Sequence, residues 1–156
     1  MANSVRVVDR GANALMKRLA DMGMAVKVGV IGSEAAAPHK LTGTTVVDIA
    51  TIHEFGLGVP PRSFIRNYVD ENEPKLRARL RGVGEQVLKG QLSLRAGLDR
   101  YGLKTVGEIQ ERMSRGIPPG LSESTKKKRG ENAVALIATG QLRSSITHAV
   151  TQGGPV

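Results

Sequence analysis

Residues 44–66 read TTVVDIATIHEFGLGVPPRSFIR, and the punctuation of this stretch sets the plan of the chain. Thr45 followed three residues later by Asp48 is a capping-box pattern, in which each side chain satisfies a backbone N–H of the first turn. Val46, Ile49, Ala50 and His53 then share one helical face. Gly56 supplies the left-handed stop. Gly58, Pro60 and Pro61 form a rigid turn, and the next helix is expected to begin near Ser63. Phe55 and Phe64 bracket the turn and are expected to bury together, while Ile49 and Ile52 hold the helix to the core. On that expectation Phe55→Ala costs about 3–5 kcal/mol.

Working outward, SVRVV (4–8) alternates like a short strand, and 10–22 carries Ala12, Leu15, Met16, Leu19 and Met22 at helical spacing, with Asp9 as cap and Gly23 as stop. MAVKVGVIG follows as a strand with Val26, Val28 and Val30 on one face. Gly32 to Gly43 reads as a long loop of small residues. The segment after Phe64 is helical. Pro74 is expected to break or kink it near Asn72–Glu73 and open a second helix with the apolar stripe Leu76, Leu80, Val83 and Val87. Ser93 caps another helix, with Leu94, Leu98, Tyr101, Thr105, Ile109 and Met113 in period. Ser122 caps at most two turns, and the run Lys126, Lys127, Lys128 and Arg129 reads as a basic loop. A helical turn opens at Thr139, and a strand spans Ile146–Val150. The pattern has no βαβ rhythm and no repeat. It describes an α+β domain over residues 1–150, with several helices on a small, mostly antiparallel sheet and long loops, followed by a flexible tail at 151–156.

Composition narrows the chemistry. The 156 residues carry a net charge of +9 and no cysteine, so disulfides, thiolate metal sites and cysteine nucleophiles are out. The charge draws polyanions or acidic partners at long range. No run of about 18 apolar residues is present, so no membrane contact is expected. The N-terminus lacks a secretory h-region, which reads as a cytoplasmic product.

His53–Glu54 is the beginning of the zinc-protease pattern H-E-x-x-H, whose two histidines must share one helix face. Leu57 stands where the second histidine belongs, and Gly56 has already ended the helix. The pair instead reads as a partly buried helix-end histidine and a glutamate bonded to nearby backbone or an arginine. Gly29 and Gly32 do not fit the dinucleotide pattern, no P-loop follows, and no G-x-S-x-G elbow occurs. Neither a catalytic residue nor a cofactor is expected. The four cations at 126–129 are candidate contacts to DNA or to an acidic partner. No aromatics interleave with them, so DNA would be met as a charged rod.

Five blocks, KVGVIG, IATIHEFG, PPRSFIR, LSESTKKKRG and LIATGQLRSSITHAV, occur in that order between Lys27 and Val150. In order and spacing they resemble the virion-morphogenesis family of tailed bacteriophages, small neck or tail-completion proteins. The resemblance implies a structural virion protein at the head–tail junction, completing the tail and joining it to the head. It implies a ring of copies around the DNA channel, a hexamer being favoured over a dodecamer, in contact with other neck, connector and tail proteins. It places the protein in the virion neck, and in the host cytoplasm during assembly. The motif residues carried over are His53, Glu54, Phe55, Gly56, Pro61, Arg62 and Phe64. The alternatives are a sequence-independent nucleic-acid-binding module, a tail terminator or a head-side adaptor.

Overall fold

In the computed structural model, strand β1 (Met24–Val30) pairs antiparallel with β2 (Ile146–Gln152), in a register that sets Val28 opposite His148 and Val30 opposite Ile146. The structure describes residue 14 and residues 23–40, 43–137 and 139–152. The expected strand at 4–8 and helix at 10–22 lie outside the described residues. Between the strands run α1 (Ser33–Ala36), α2 (Val46–Phe55), α3 (Arg66–Leu88), α4 (Leu94–Arg115), α5 (Glu123–Arg129) and α6 (Gln141–Ser144). The result is an α+β fold of helices on a small antiparallel sheet, as the sequence pattern requires.

Helix α4 is the spine. It packs on both strands and on α3, because its buried positions Leu98, Thr105, Val106, Ile109 and Met113 recur at helical spacing on one side. Ser93 caps it by accepting from the Ala96 N–H. Two of its glycines, on different sides of the helix, let α3 and β2 approach closely. A Cβ at Gly97 would stand 2.4 Å from Val83 Cγ1, and one at Gly102 would stand 2.4 Å from His148 Cδ2 and 2.9 Å from His148 Cβ. The His148 ring is itself tied to Asp99 at 2.9 Å. Its Cβ belongs to the paired strand, so a rotamer change does not clear the clash. Gly102→Ala is therefore expected to cost about 1–3 kcal/mol through overpacking, read as a lower Tm in a thermal melt. An unchanged Tm would show that the sheet slides freely on α4.

The core joins α2, α3, α4 and one end of the sheet: Val46, Phe64, Tyr68, Ile109, Met113 and Ile146 are among its members, with Val28 and Val30 packed against them. Four expectations need correction. Pro74 does not break the helix: α3 is continuous from Arg66 to Leu88 with Pro74 inside. Asp70 and Pro74 both lie on its exposed side, where a carbonyl without its helical N–H partner can be hydrated. Leu80 leaves the expected stripe and is 45% exposed, while Leu76 and Val87 are buried. The segment from Gly32 to Gly43 contains the short helix α1, and an isolated bridge pairs Pro38 with Thr45. Finally, Thr151 and Gln152, expected in a flexible tail, belong to β2, paired with Ala25 and Met24; residues 153–156 lie outside the described residues.

Candidate binding groove at the helix–turn joint

Helix α2 begins and ends as its letters dictate. Thr45 and Asp48 form the reciprocal capping box, and Gly56 closes the helix at φ 74° with its N–H on the Ile52 carbonyl. A Cβ on Gly56 would lie 3.0 Å from the Pro61 ring, so glycine is required there both by backbone sign and by space. The Arg62 N–H then returns to the His53 carbonyl at 2.7 Å and locks the turn.

The three residues His53, Glu54 and Phe55 point to three different places. Glu54 is buried and crosses the turn to the start of α3. Its carboxylate accepts from the backbone N–H groups of Phe64 (2.9 Å), Ile65 (3.1 Å) and Arg66 (2.8 Å), and from the Ser63 hydroxyl (2.6 Å). Helix α3 has no side-chain cap of its own. A carboxylate from the preceding helix fills that role, where unpaired N–H groups and the helix dipole both favour negative charge. This realises the expectation that Glu54 bonds to backbone.

Phe55 departs from expectation. It is 58% exposed, while Phe64 is fully buried, so the two rings do not bury together. Phe55 sits one residue beyond the buried Glu54, about 100° further round the helix, and that turn carries it outward. The Arg66 guanidinium covers one face of its ring at 4.8 Å. Leu57, two residues on, is also 58% exposed.

His53 faces inward, into a groove of about 570 Å³ between α2, α5 and the segment leading to α6. Ile49, Val59, Leu121, Leu136 and Leu142 give the groove apolar walls. Arg62 forms part of its floor. This buried guanidinium donates to the carbonyls of Pro119 (2.8 Å) and Gly120 (2.9 Å). Among the described residues no carboxylate lies within ion-pair distance of it. Arg129, at the end of α5, completes the positive rim. His53 Nδ1 is buried without a hydrogen-bond partner. The His53 imidazole is held below its ordinary pKa, first by burial and then by the charges of Arg62, Arg129 and His39.

The basic run is not a loop. Lys126 to Arg129 form the end of α5, a helix capped by Ser122, so the positive side chains sit where a helix C-terminus favours them. Lys126 is paired with Glu123 at 2.7 Å, Lys127 and Lys128 are exposed, and Arg129 alone of the four lines the groove. Gly56, Pro61 and Phe64 serve the joint and the core.

A second polar cluster ties α3 to α4. Glu108 accepts from Tyr68, from Arg79 at 2.8 Å and from Lys75 at 3.0 Å. Burial alone would raise the Glu108 carboxyl, but these hydrogen bonds outweigh it and hold its pKa at about 2. The Tyr68 phenol is pushed well above its ordinary value, by burial first and then by its bond to Glu108. A carboxylate depressed in the folded state adds stability in full above its unfolded pKa and loses it as pH falls toward the folded one. Urea unfolding at a series of pH values is therefore expected to show stability falling between about pH 4.5 and pH 2. Glu108→Gln should flatten that fall and lower stability at pH 7 by on the order of 2 kcal/mol. Parallel curves for the two proteins would contradict this assignment.

Among the described residues no three His, Asp or Glu side chains come together as a metal-holding set, and no helix is long and apolar enough to cross a membrane. In comparisons with family models, curated proteins and solved structures, none matches this chain.

Proposed function

We propose that this chain is a structural subunit of a tailed-bacteriophage virion, acting at the head–tail junction to complete the tail and connect it to the head. In this reading copies of the chain form a ring around the DNA channel, six being favoured over twelve. They touch neighbouring neck, connector and tail proteins in the virion, having assembled in the host cytoplasm. The observation that carries the reading is the arrangement of the motif blocks. IATIHEFG, PPRSFIR, LSESTKKKRG and LIATGQLRSSITHAV are separated by up to tens of residues, yet His53, Arg62, Arg129 and Leu136, one from each, line a single groove. Blocks that share a site have a reason to occur together, beyond chance resemblance of short words.

The exposed apolar side chains of Phe55 and Leu57 support the same reading. Exposed apolar residues in a contiguous patch mark association surfaces, and a ring needs such a surface on every copy. The test separates folding from assembly. Phe55→Ala is expected to change the stability of the isolated chain by no more than about 0.5 kcal/mol, because the ring already faces water. In cells producing the virion, the same substitution is expected to leave heads and tails accumulating unjoined, as seen by electron microscopy of the lysate. Joined particles at the normal yield would count against the proposal.

A further inference from the structure

We propose that the groove between α2, α5 and α6 is a docking site for an extended segment of another protein, one in which a carboxylate side chain lies beside apolar side chains. The proposal stands on the groove itself and holds whether or not the chain forms a ring.

Three observations select that occupant. The walls are aliphatic, contributed by Ile49, Val59, Leu121, Leu136 and Leu142, so part of the ligand must be apolar to gain from displacing water there. The volume, about 570 Å³, is in the range of sites that enclose a small ligand or a few side chains. The charged side chains among the lining residues, Arg62 and Arg129, are both cationic. Arg62 brings a buried positive charge balanced only by carbonyl oxygens, Arg129 brings a second charge at the rim, and His53 brings a buried nitrogen without a partner. A carboxylate entering beside them would meet two cations, and it would accept a hydrogen bond from a His53 ring N–H.

Leu136 adds a fourth sign. It stands at φ 68°, the left-handed region, although it is not glycine. That conformation costs about 1–2 kcal/mol in a residue with a side chain, and such strained positions gather at ligand clamps. Here the strain is stored in a residue of the groove wall.

Nucleic acid fits less well. Phosphodiesters gain from rows of cations in water, and single strands gain from aromatic platforms. The groove offers aliphatic walls and no Phe, Tyr or Trp among its lining residues. The exposed cations Lys127 and Lys128 lie on α5 outside it.

The test is a selection of random decapeptides, displayed on a surface, against the purified full-length chain. Enrichment of sequences with Asp or Glu flanked by Leu, Ile or Val is expected. The best synthetic peptide should bind Arg129→Glu at least about tenfold more weakly, a substitution at an exposed position that leaves the core untouched. On titration with that peptide, NMR should show the His53 ring resonances shifting and its pKa rising, since a bound carboxylate opposes the effect of Arg62 and Arg129. Three results would each overturn the proposal: selected peptides without acidic enrichment, equal affinity for Arg129→Glu, or His53 resonances that stay still while the peptide binds. Displacement of the peptide by duplex DNA, with loss of DNA binding in Arg129→Glu, would reassign the groove to a polyanion.

Discussion

Replacing Glu54 by alanine is expected to cost about 3–5 kcal/mol, among the largest effects of any single substitution at the joint. Glu54 is 8% exposed, and its carboxylate answers three backbone N–H groups and one hydroxyl at the start of α3. Removing it strands those donors in a place water reaches poorly, and each stranded donor carries a desolvation penalty of about 1–3 kcal/mol before relaxation. Glu54→Gln keeps the shape and one acceptor oxygen, but its amide hydrogens face donors, so an intermediate loss is expected. Arg66, whose side chain is 58% exposed, lies only 3.7 Å from the same carboxylate, and its replacement by alanine should cost little by comparison. Chemical unfolding of the three variants gives the order directly. If Glu54→Ala is as stable as Arg66→Ala, the capping role assigned to Glu54 is wrong.

Phe64→Ala is expected to rank beside it, again at about 3–5 kcal/mol. Phe64 is fully buried among Val46, Tyr68, Ile109 and Ile146, in the place where α2, α3, α4 and the sheet meet. Truncating the ring leaves a cavity that the rigid turn at Pro60 and Pro61 cannot collapse into. A domain with a total stability of about 5–15 kcal/mol would lose roughly a fifth or more of it. The contrast with Phe55 is what makes the experiment informative. Two phenylalanines nine positions apart, with similar hydrophobicity, should give unfolding curves that differ by several kcal/mol. Equal losses would mean that Phe55 is buried in solution and that its exposed placement is incorrect.

What could be read in the letters was local chemistry. Thr45 with Asp48, Ser93, Ser122 and Gly56 mark helix ends by hydrogen bonds that reach no more than four residues, and each of them stands where the sequence pattern puts it. The valines of β1 and the buried stripe of α4 follow from periodicity alone. What escaped depends on contacts distant in sequence. Whether Pro74 breaks a helix depends on the surroundings of the Asp70 carbonyl, and a window of sequence does not contain those surroundings. Which of Phe55 and Phe64 is buried depends on the phase of the last turn of α2, set by where Glu54 must point. The cations at 126–129 read as a loop because their charges repel, yet capping by Ser122 and the C-terminal dipole suffice to hold them in a helix. The groove was the least legible feature. Of its residues only His53, Arg62 and Arg129 stood out in the sequence, for reasons of charge and motif. Leu136, Leu142 and Val59 look like any other aliphatic residues until the fold brings them together.

The proposed role would put this chain in the neck of a virion as one of a ring of copies. Cryo-electron microscopy of intact particles, with density for this chain assigned by fitting the fold described here, tests that placement most directly. The account predicts a closed ring of six copies, or of twelve, at the head–tail junction around the DNA channel, with Phe55 and Leu57 buried against a neighbour. Density for this fold elsewhere in the particle, a single copy per particle, or particles that contain none of the chain would contradict it.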